Sequence, residues 1–363
     1  MSQLLLRIED RLRSEQDPNL RGELIAQQAS YLARIGQFSE TRRKIAELRT
    51  VFGDGRSGRV TAFIMLAEGL LLHYEQLGPN ALDRVSRAQL LGQAMKDRDV
   101  IGLASAWRAH LEFEQSRYSA SAKSLRIALE NSSDQDHAAR ARCAIVLFNA
   151  FALCGNRPES QRWFLSGREH ALKAGDQASI DALLHSRAAF GLAWLRVQRC
   201  KGEVDATSLS IVRSEIASAR NLQRLTQIEA HATYIDLCDA RLQIVEGRYQ
   251  TAIDLLNLIR NAGPFPSGHF SQALLDLEIA FCQSKMGDIE SAVSAVDLVQ
   301  VAAHDALDVD DRLVASWMTL EVAKLDSRLE STDEARHRLD TVSREYDVQL
   351  EVLRSEFAEF AGN

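Results

Sequence analysis

The chain has 363 residues and a mass of 40.4 kDa; 46% of its residues are hydrophobic and 26% charged, with a net charge of −7. That balance excludes a disordered chain, and the charge leaves no electrostatic footprint for nucleic acid. Only 5 prolines occur, which suits long helices because their interiors reject proline.

The first residues, Met1 to Asp10, turn charged after three leucines and do not form a signal-peptide pattern. A first helical unit begins near residue 15 and turns at Gly36-Gln37-Phe38. A helix over Glu40 to Thr50 then leads to Gly53-Asp54-Gly55-Arg56-Ser57-Gly58. That segment spells G-x-G-x-x-G, but it follows a helix and belongs to no βαβ pattern, so it reads as an inter-repeat loop. The apolar run from Val60 to Tyr74 carries Glu68 and is only 15 residues long, too short to span a membrane. A weaker turn falls at Gln76-Leu77-Gly78, and clear ones at Ser116-Arg117-Tyr118 and Gly155-Asn156-Arg157. A lengthened connection follows at Gly202-Glu203-Val204. The clearest turn is Glu246-Gly247-Arg248-Tyr249, followed by the apolar ladder Ile253, Leu255, Leu256 and Ile259. The loop Asn261 to Gly268, with two prolines and two glycines, is either a hinge or a plain long turn. Turns at Gly287-Asp288-Ile289 and Glu330-Ser331-Thr332 complete the series. A capping helix is expected from Ser343 to Phe360, where Phe357 and Phe360 offer a homodimer contact as an alternative.

Successive turns are 39 to 47 residues apart, and a small residue recurs seven places before the turn at Ala29, Gly69, Ala109, Ala240, Ala280 and Ala323. Small side chains let two crossing helices approach. Each unit therefore reads as an amphipathic helical hairpin that buries its apolar face only against its neighbours.

Gly247-x-Tyr249-x-x-Ala252, with Ala240 upstream, resembles the tetratricopeptide repeat, over about residues 15–345. The long spacing is similar to the long-helix branch of that family, as in MalT-type regulators or kinesin light chains. A HEAT-type solenoid shares the spacing. The resemblance implies an all-α, right-handed superhelical solenoid of about eight repeats forming a single domain over 1–363, with residues 346–363 as cap and tail. It also implies a concave groove, lined by first helices, that binds a partner peptide or helix.

In that register the inward-facing residues include Phe63, Leu66, Leu70, Tyr74, His110, Phe113, Arg142 and Asn149 in the N-terminal half. In the C-terminal half they include Tyr234, Arg241, Phe281, Lys285, Trp317, Lys324 and Arg328. The first set is the more apolar and suits an amphipathic helix. The cations of the second suit a partner's carboxylates, unless they pair with neighbouring acids. Residues 301–363 carry 7 Lys/Arg against 15 Asp/Glu, which reads as a solvated acidic surface. The chaperone-tail type of this repeat is disfavoured, because Glu23, Ala26 and Ser30 stand in the first unit.

Chemistry is not expected. No nucleophile elbow is present, and Asp310-Asp311 and Asp333-Glu334 read as helix-start surface charges. The nine histidines include no i, i+4 pair and no H-E-x-x-H, so no single helix offers a zinc site; sites between helices stay open. The five cysteines are widely spaced, without C-x-x-C, and read as buried thiols of a cytoplasmic protein. Arg outnumbers Lys 36 to 7, compatible with a GC-rich bacterial genome. The expected role is a protein-binding adaptor, scaffold or regulatory subunit without cofactor, metal, nucleic-acid or membrane partner. A small-molecule or peptide sensor is the first rival. An enzyme or enzyme activator is the second, and its mark would be His110, Glu114 and Arg142 gathered in one polar cleft.

Overall fold

The structure, a computed structural model, describes residues 2–53, 55–76, 80–226, 228, 232–262, 272–302, 308–325 and 329–362. The described residues are helical, with no strand among them. In chain order the helices are α1 (Gln3–Ser14), α2 (Pro18–Arg34), α3 (Phe38–Phe52), α4 (Gly58–Gln76), α5 (Asn80–Met95) and α6 (Arg98–Glu114). They continue as α7 (Tyr118–Asn131), α8 (His137–Leu153), α9 (Arg157–Ala174), α10 (Gln177–Lys201), α11 (Ala206–Thr226) and α12 (Ala232–Val245). The last are α13 (Tyr249–Asn261), α14 (Gln272–Lys285), α15 (Ile289–Ala302), α16 (Val309–Ala323) and α17 (Leu329–Phe357). No described helix is long and apolar enough to cross a membrane.

Among the described residues α2 packs on α3, α4 on α5, α6 on α7, α8 on α9, α12 on α13 and α14 on α15, and one backbone device closes several of these pairs. At Gly36, Ser116, Gly155, Gly247 and Gly287 the chain turns left-handed, with φ between 55° and 98°. The next amide then donates back across the helix end: Gln37 N to Leu32 O at 2.9 Å, Arg117 N to Glu112 O at 2.9 Å, Asn156 N to Phe151 O at 2.9 Å, Arg248 N to Gln243 O at 2.9 Å and Asp288 N to Gln283 O at 3.0 Å. This is the Schellman pattern, which satisfies carbonyls that the helix end leaves open. Helix starts are capped as well: Asp17 accepts from Asn19 N at 2.7 Å and Asp97 from Val100 N at 3.2 Å. Pro18 and Pro158 sit in first turns, where a missing amide costs nothing.

Neighbouring helices pack in sequence, and α2 on α4, α6 on α8 and α14 on α16 stack first helix against first helix. The recurrent small residues Ala29, Ala109, Ala240 and Ala280 are fully buried. At Gly69 an added Cβ would lie 2.7 Å from Val85 Cγ2 and 3.2 Å from Ala81 O, so the α4–α5 crossing leaves no room for a side chain. Cys143, Cys238 and Cys282 are buried, and none of the five cysteines is in a disulfide.

The chain divides into two compact units. Unit 1 comprises Met1–Leu184, Asn221–His231 and Leu353–Asn363; unit 2 comprises His185–Arg220 and Ala232–Val352. In unit 1, Leu48, Val60, Phe63, Leu66, Leu70, Val85 and Leu111 build the main core. Helix α1, which precedes the expected repeats, places Leu5 against Tyr31 and Ala178. Its start is held by Leu4 N donating to Gly175 O at 3.1 Å. The core of unit 2 is formed by Leu237, Ile244, Leu256, Leu275, Phe281, Val314 and Met318, with a second cluster of Val197, Leu313, Val342 and Tyr346.

Three expectations change. The turn expected at Glu330 falls earlier, because α17 already begins at Leu329; no glycine marks the break there. No separate capping helix forms, since α17 runs unbroken to Phe357 and ends in a 3-10 turn over Ala358–Phe360. Phe357 and Phe360 are buried within unit 1, Phe357 meeting Phe113 edge-on at 6.1 Å between ring centres. Each such aromatic gains about 2–3 kcal/mol from burial, so this apolar surface is spent inside the chain and is not displayed to a second copy. Most of the expected hinge, residues 263–268, lies outside the described residues.

Candidate functional site

The inner stripe of unit 1 is unusually polar for its depth. Helix α6 supplies Trp107, His110 and Glu114, spaced i, i+3, i+7 and therefore on one face. Helix α2 adds Tyr31 and Arg34, α4 adds His73 and Tyr74, α8 adds Arg142, and Asp176 with Ser179 comes from the start of α10.

Two arginines meet opposite fates around Trp107. Arg34 is paired: Nη1 donates to Asp176 Oδ2 at 2.8 Å, and Nη2 to Asp176 Oδ1 at 3.1 Å and Ser179 Oγ at 2.8 Å. Asp176 also accepts from Ser179 N at 3.1 Å and so caps α10. Burial alone would raise the Asp176 carboxyl, but the Arg34 charge and hydrogen bonds from Arg34 and Ser179 outweigh it and hold it below the usual range. Burial would likewise lower Arg34, and Asp176 overrides that.

Arg142 is 1% exposed, and none of its three guanidinium nitrogens reaches an acceptor among the described residues. Its guanidinium lies over the Trp107 ring at 3.6 Å, while Arg34 stands 5.5 Å from the same ring. Burial, with the Arg34 charge adding to it, pushes Arg142 down to about 10; Tyr74, Asp176 and Glu114 oppose the shift. The group stays cationic at neutral pH. The burial costs on the order of 3 kcal/mol, of which the indole face returns about 2 kcal/mol. Asn149, seven residues further along α8, is 4% exposed, and its Oδ1 also finds no donor among the described residues.

Beside this pair the histidines gather. His110 Nε2 lies 3.1 Å from Glu114 Oε1, and His73 Nε2 lies 3.6 Å from Glu114 Oε2. His73 stacks edge-on with Tyr74 at 4.7 Å, and His110 with Trp107 at 5.6 Å. Tyr74 and Glu114 are half-buried and give the cluster its solvent side. A buried cation on an aromatic face, with imidazoles alongside, is equipped to receive a carboxylate or another oxyanion.

Of the residues expected to line a groove, Tyr74, His110 and Arg142 come together here, and Asn149 shares the α8 stripe. Phe63, Leu66 and Leu70 are at most 4% exposed, packed in the core between hairpins, and present no face to a ligand. Phe113 is taken up by Tyr118, at 5.4 Å, and by Phe357.

In unit 2 the described cations expected for a partner's carboxylates are already paired. Arg241 meets Glu278 at 2.8 Å and Asp311 at 3.7 Å. Lys285 and Lys324 both reach Glu321, at 2.9 and 2.7 Å; Arg328 lies outside the described residues. Phe281 packs on Trp317 at 5.2 Å, and Tyr234 on His185 at 5.8 Å. Asp311, read from sequence as a surface charge, is buried and accepts from Arg196 at 2.6 Å, while Arg196 also donates to Glu278 at 2.8 Å. Adjacent positions diverge by about 100° on a helix, so Asp311 can face inward beside Asp310. Arg196, Arg241 and Trp317 line a small, shallow cleft.

Sequence reasoning missed Arg34, His73, Trp107, Asp176 and Arg196. The one available signal was the Trp107–His110–Glu114 stripe, and it needed the α4 and α8 partners to become legible. His110, Glu114 and Arg142 gather, which is the clustering that the enzyme or enzyme-activator rival expects. Neither a search of protein-family models nor a search of curated proteins finds a match for the chain.

Proposed function

We propose that the protein is a tetratricopeptide-like repeat of the long-helix type, with the right-handed superhelical path of such arrays. It acts as a partner-binding adaptor or regulatory subunit, and it recognises an anionic group, a peptide carboxylate, through the inner stripe of unit 1. Helical hairpins closed by the same turn at Gly36, Ser116, Gly155, Gly247 and Gly287 support the repeat assignment. The observation that carries the binding role is Arg142, a buried guanidinium stacked on Trp107 without an acceptor among the described residues. A protein tolerates such a charge only where something offsets its desolvation, and a ligand carboxylate would add the charge-assisted hydrogen bonds that the chain itself does not supply. Tyr74 and Glu114 give the approach from solvent. This assignment departs from the sequence expectation, which placed carboxylate recognition on Arg241, Lys285, Lys324 and Arg328. The reading gives the chain no catalytic step.

The test is selection from a displayed peptide library, followed by titration of selected peptides in free-carboxylate and amidated forms. Arg142→Met is expected to weaken the free-acid peptides by about 10–100-fold, the worth of hydrogen bonds to a charged group. Amidation at the recognised carboxyl should cost the wild type the same factor. Equal affinities for wild type and variant would overturn the assignment. A small oxyanion that binds where no peptide does would favour the sensor reading.

A further inference from the structure

Two imidazoles and one carboxylate converge from neighbouring hairpins in unit 1, and the partner reading makes no use of that convergence. His110 and Glu114 stand four residues apart on α6, and His73 reaches them from α4. One donor atom from each lies within 4.8 Å of the other two. The His73 and His110 rings are 5.8 Å apart between centres and nearly perpendicular, at 84°. Both direct Nε2 toward the same carboxylate, at 3.6 and 3.1 Å.

We propose that His73, His110 and Glu114 form a binding site for one divalent first-row transition-metal ion of the zinc type.

The distances suit it. An ion about 2.0–2.2 Å from each of three donors holds those donors about 3–3.5 Å apart. The His110–Glu114 distance already lies in that range, and the three donors, now within 4.8 Å of one another, would draw together on the ion. Donor type narrows the ion: imidazole nitrogen with one carboxylate suits zinc and its first-row neighbours, whereas magnesium and calcium prefer all-oxygen sets. The histidines are almost wholly buried while the Glu114 side chain is 28% exposed, so the fourth position opens on the solvent side. Three protein ligands with one open position is the arrangement of zinc sites that hold a water or another small ligand, in contrast to closed structural ones. Two neutral imidazoles and one carboxylate leave a bound dication with a net positive charge. Arg142 adds another close by, so the open position would favour an anion. The metal inference does not depend on the partner reading, because its ligands exclude Arg142.

The test uses the untagged full chain, stripped with chelator, and titrates Zn2+ by calorimetry with Co2+ as a spectroscopic probe. The wild type is expected to bind one equivalent of Zn2+ and to give the intense visible band of low-coordinate Co2+. His73→Ala, His110→Ala and Glu114→Gln should each weaken binding by more than about a hundredfold, since even residues that only support a ligand cost 10–100-fold. Far-UV circular dichroism checks that the variants fold, and the wild-type Co2+ spectrum is decisive without them. Arg142→Met should keep the metal while losing the peptide, which separates failure of this inference from failure of the partner reading. A second histidine pair, His137 and His170, has its Nδ1 atoms 3.0 Å apart, so His170→Ala is the control and should leave Zn2+ affinity unchanged. Absence of stoichiometric binding, a Co2+ spectrum like that of the hydrated ion, or loss of binding in His170→Ala alone would overturn the proposal.

Discussion

Arg34 and Arg142 share the Trp107 ring but differ in what compensates their burial. Arg34 has a bidentate carboxylate and a hydroxyl, so its charge belongs to the fold; Arg142 has the ring face and, among the described residues, no hydrogen-bond acceptor. Removing the partner of a buried charge is costly, about 3–5 kcal/mol. Asp176→Asn is therefore expected to destabilise the protein by that order in urea denaturation at neutral pH. The pH dependence follows from the depressed Asp176 carboxyl. A carboxyl whose folded-state value lies below its unfolded value binds fewer protons in the native state. Its stabilisation is complete above the unfolded value, near pH 4, and is lost as pH falls through the folded value. Wild type should lose stability more steeply than Asp176→Asn below about pH 4, and parallel curves would contradict the pairing.

At the scale of helices and turns, much of the fold was legible because several of the hairpins close with the same chemistry. Gly36, Gly155, Gly247 and Gly287 supply the left-handed residue, and an aromatic or apolar residue often follows two places later. Ser116 does the same work with φ at 55° despite its side chain. A left-handed residue carrying a Cβ costs about 1–2 kcal/mol, and glycine gives part of that back through unfolded-state entropy. Ser116→Gly is expected to stabilise the protein by about 0.5–1 kcal/mol, and Gly247→Ala, at φ 76°, to destabilise it by about 1 kcal/mol. Chemical denaturation of the two variants checks both signs; a destabilised Ser116→Gly would contradict this account of the turn. The last turn was misplaced for the same reason, since Leu325 to Leu329 contains no glycine. Inner faces were harder to read. Helices α6 and α8 are buried on most sides, so periodicity alone does not separate the face toward the next hairpin from the face toward the polar stripe. Phe63, Leu66 and Leu70 were expected on the inner face and lie in the core, whereas Tyr74, His110 and Arg142 lie together in the polar stripe.

For the molecule as a whole, the residues that gather in unit 1 are spread from Tyr31 to Ser179 in the chain, and no local motif announces them. A helical array brings such positions together only after its hairpins have stacked. That is why composition and spacing revealed the array while the identity of the binding cation did not follow from them. The acidic final stretch illustrates the same limit: its excess of Asp and Glu was legible, yet Asp311 and Glu321 are engaged by arginine and lysine within unit 2. The central claim is that the Arg142 charge is held for a ligand and does not serve the fold. The most direct measurement is the unfolding free energy of ligand-free Arg142→Met against wild type at pH 7, far below the value of about 10 to which burial pushes the guanidinium. At that pH the burial penalty is present in full, and a methionine of similar length removes it. The variant is expected to be more stable than wild type by about 1 kcal/mol or more. A loss of about 3 kcal/mol would show that Arg142 is satisfied within the chain and would contradict the claim.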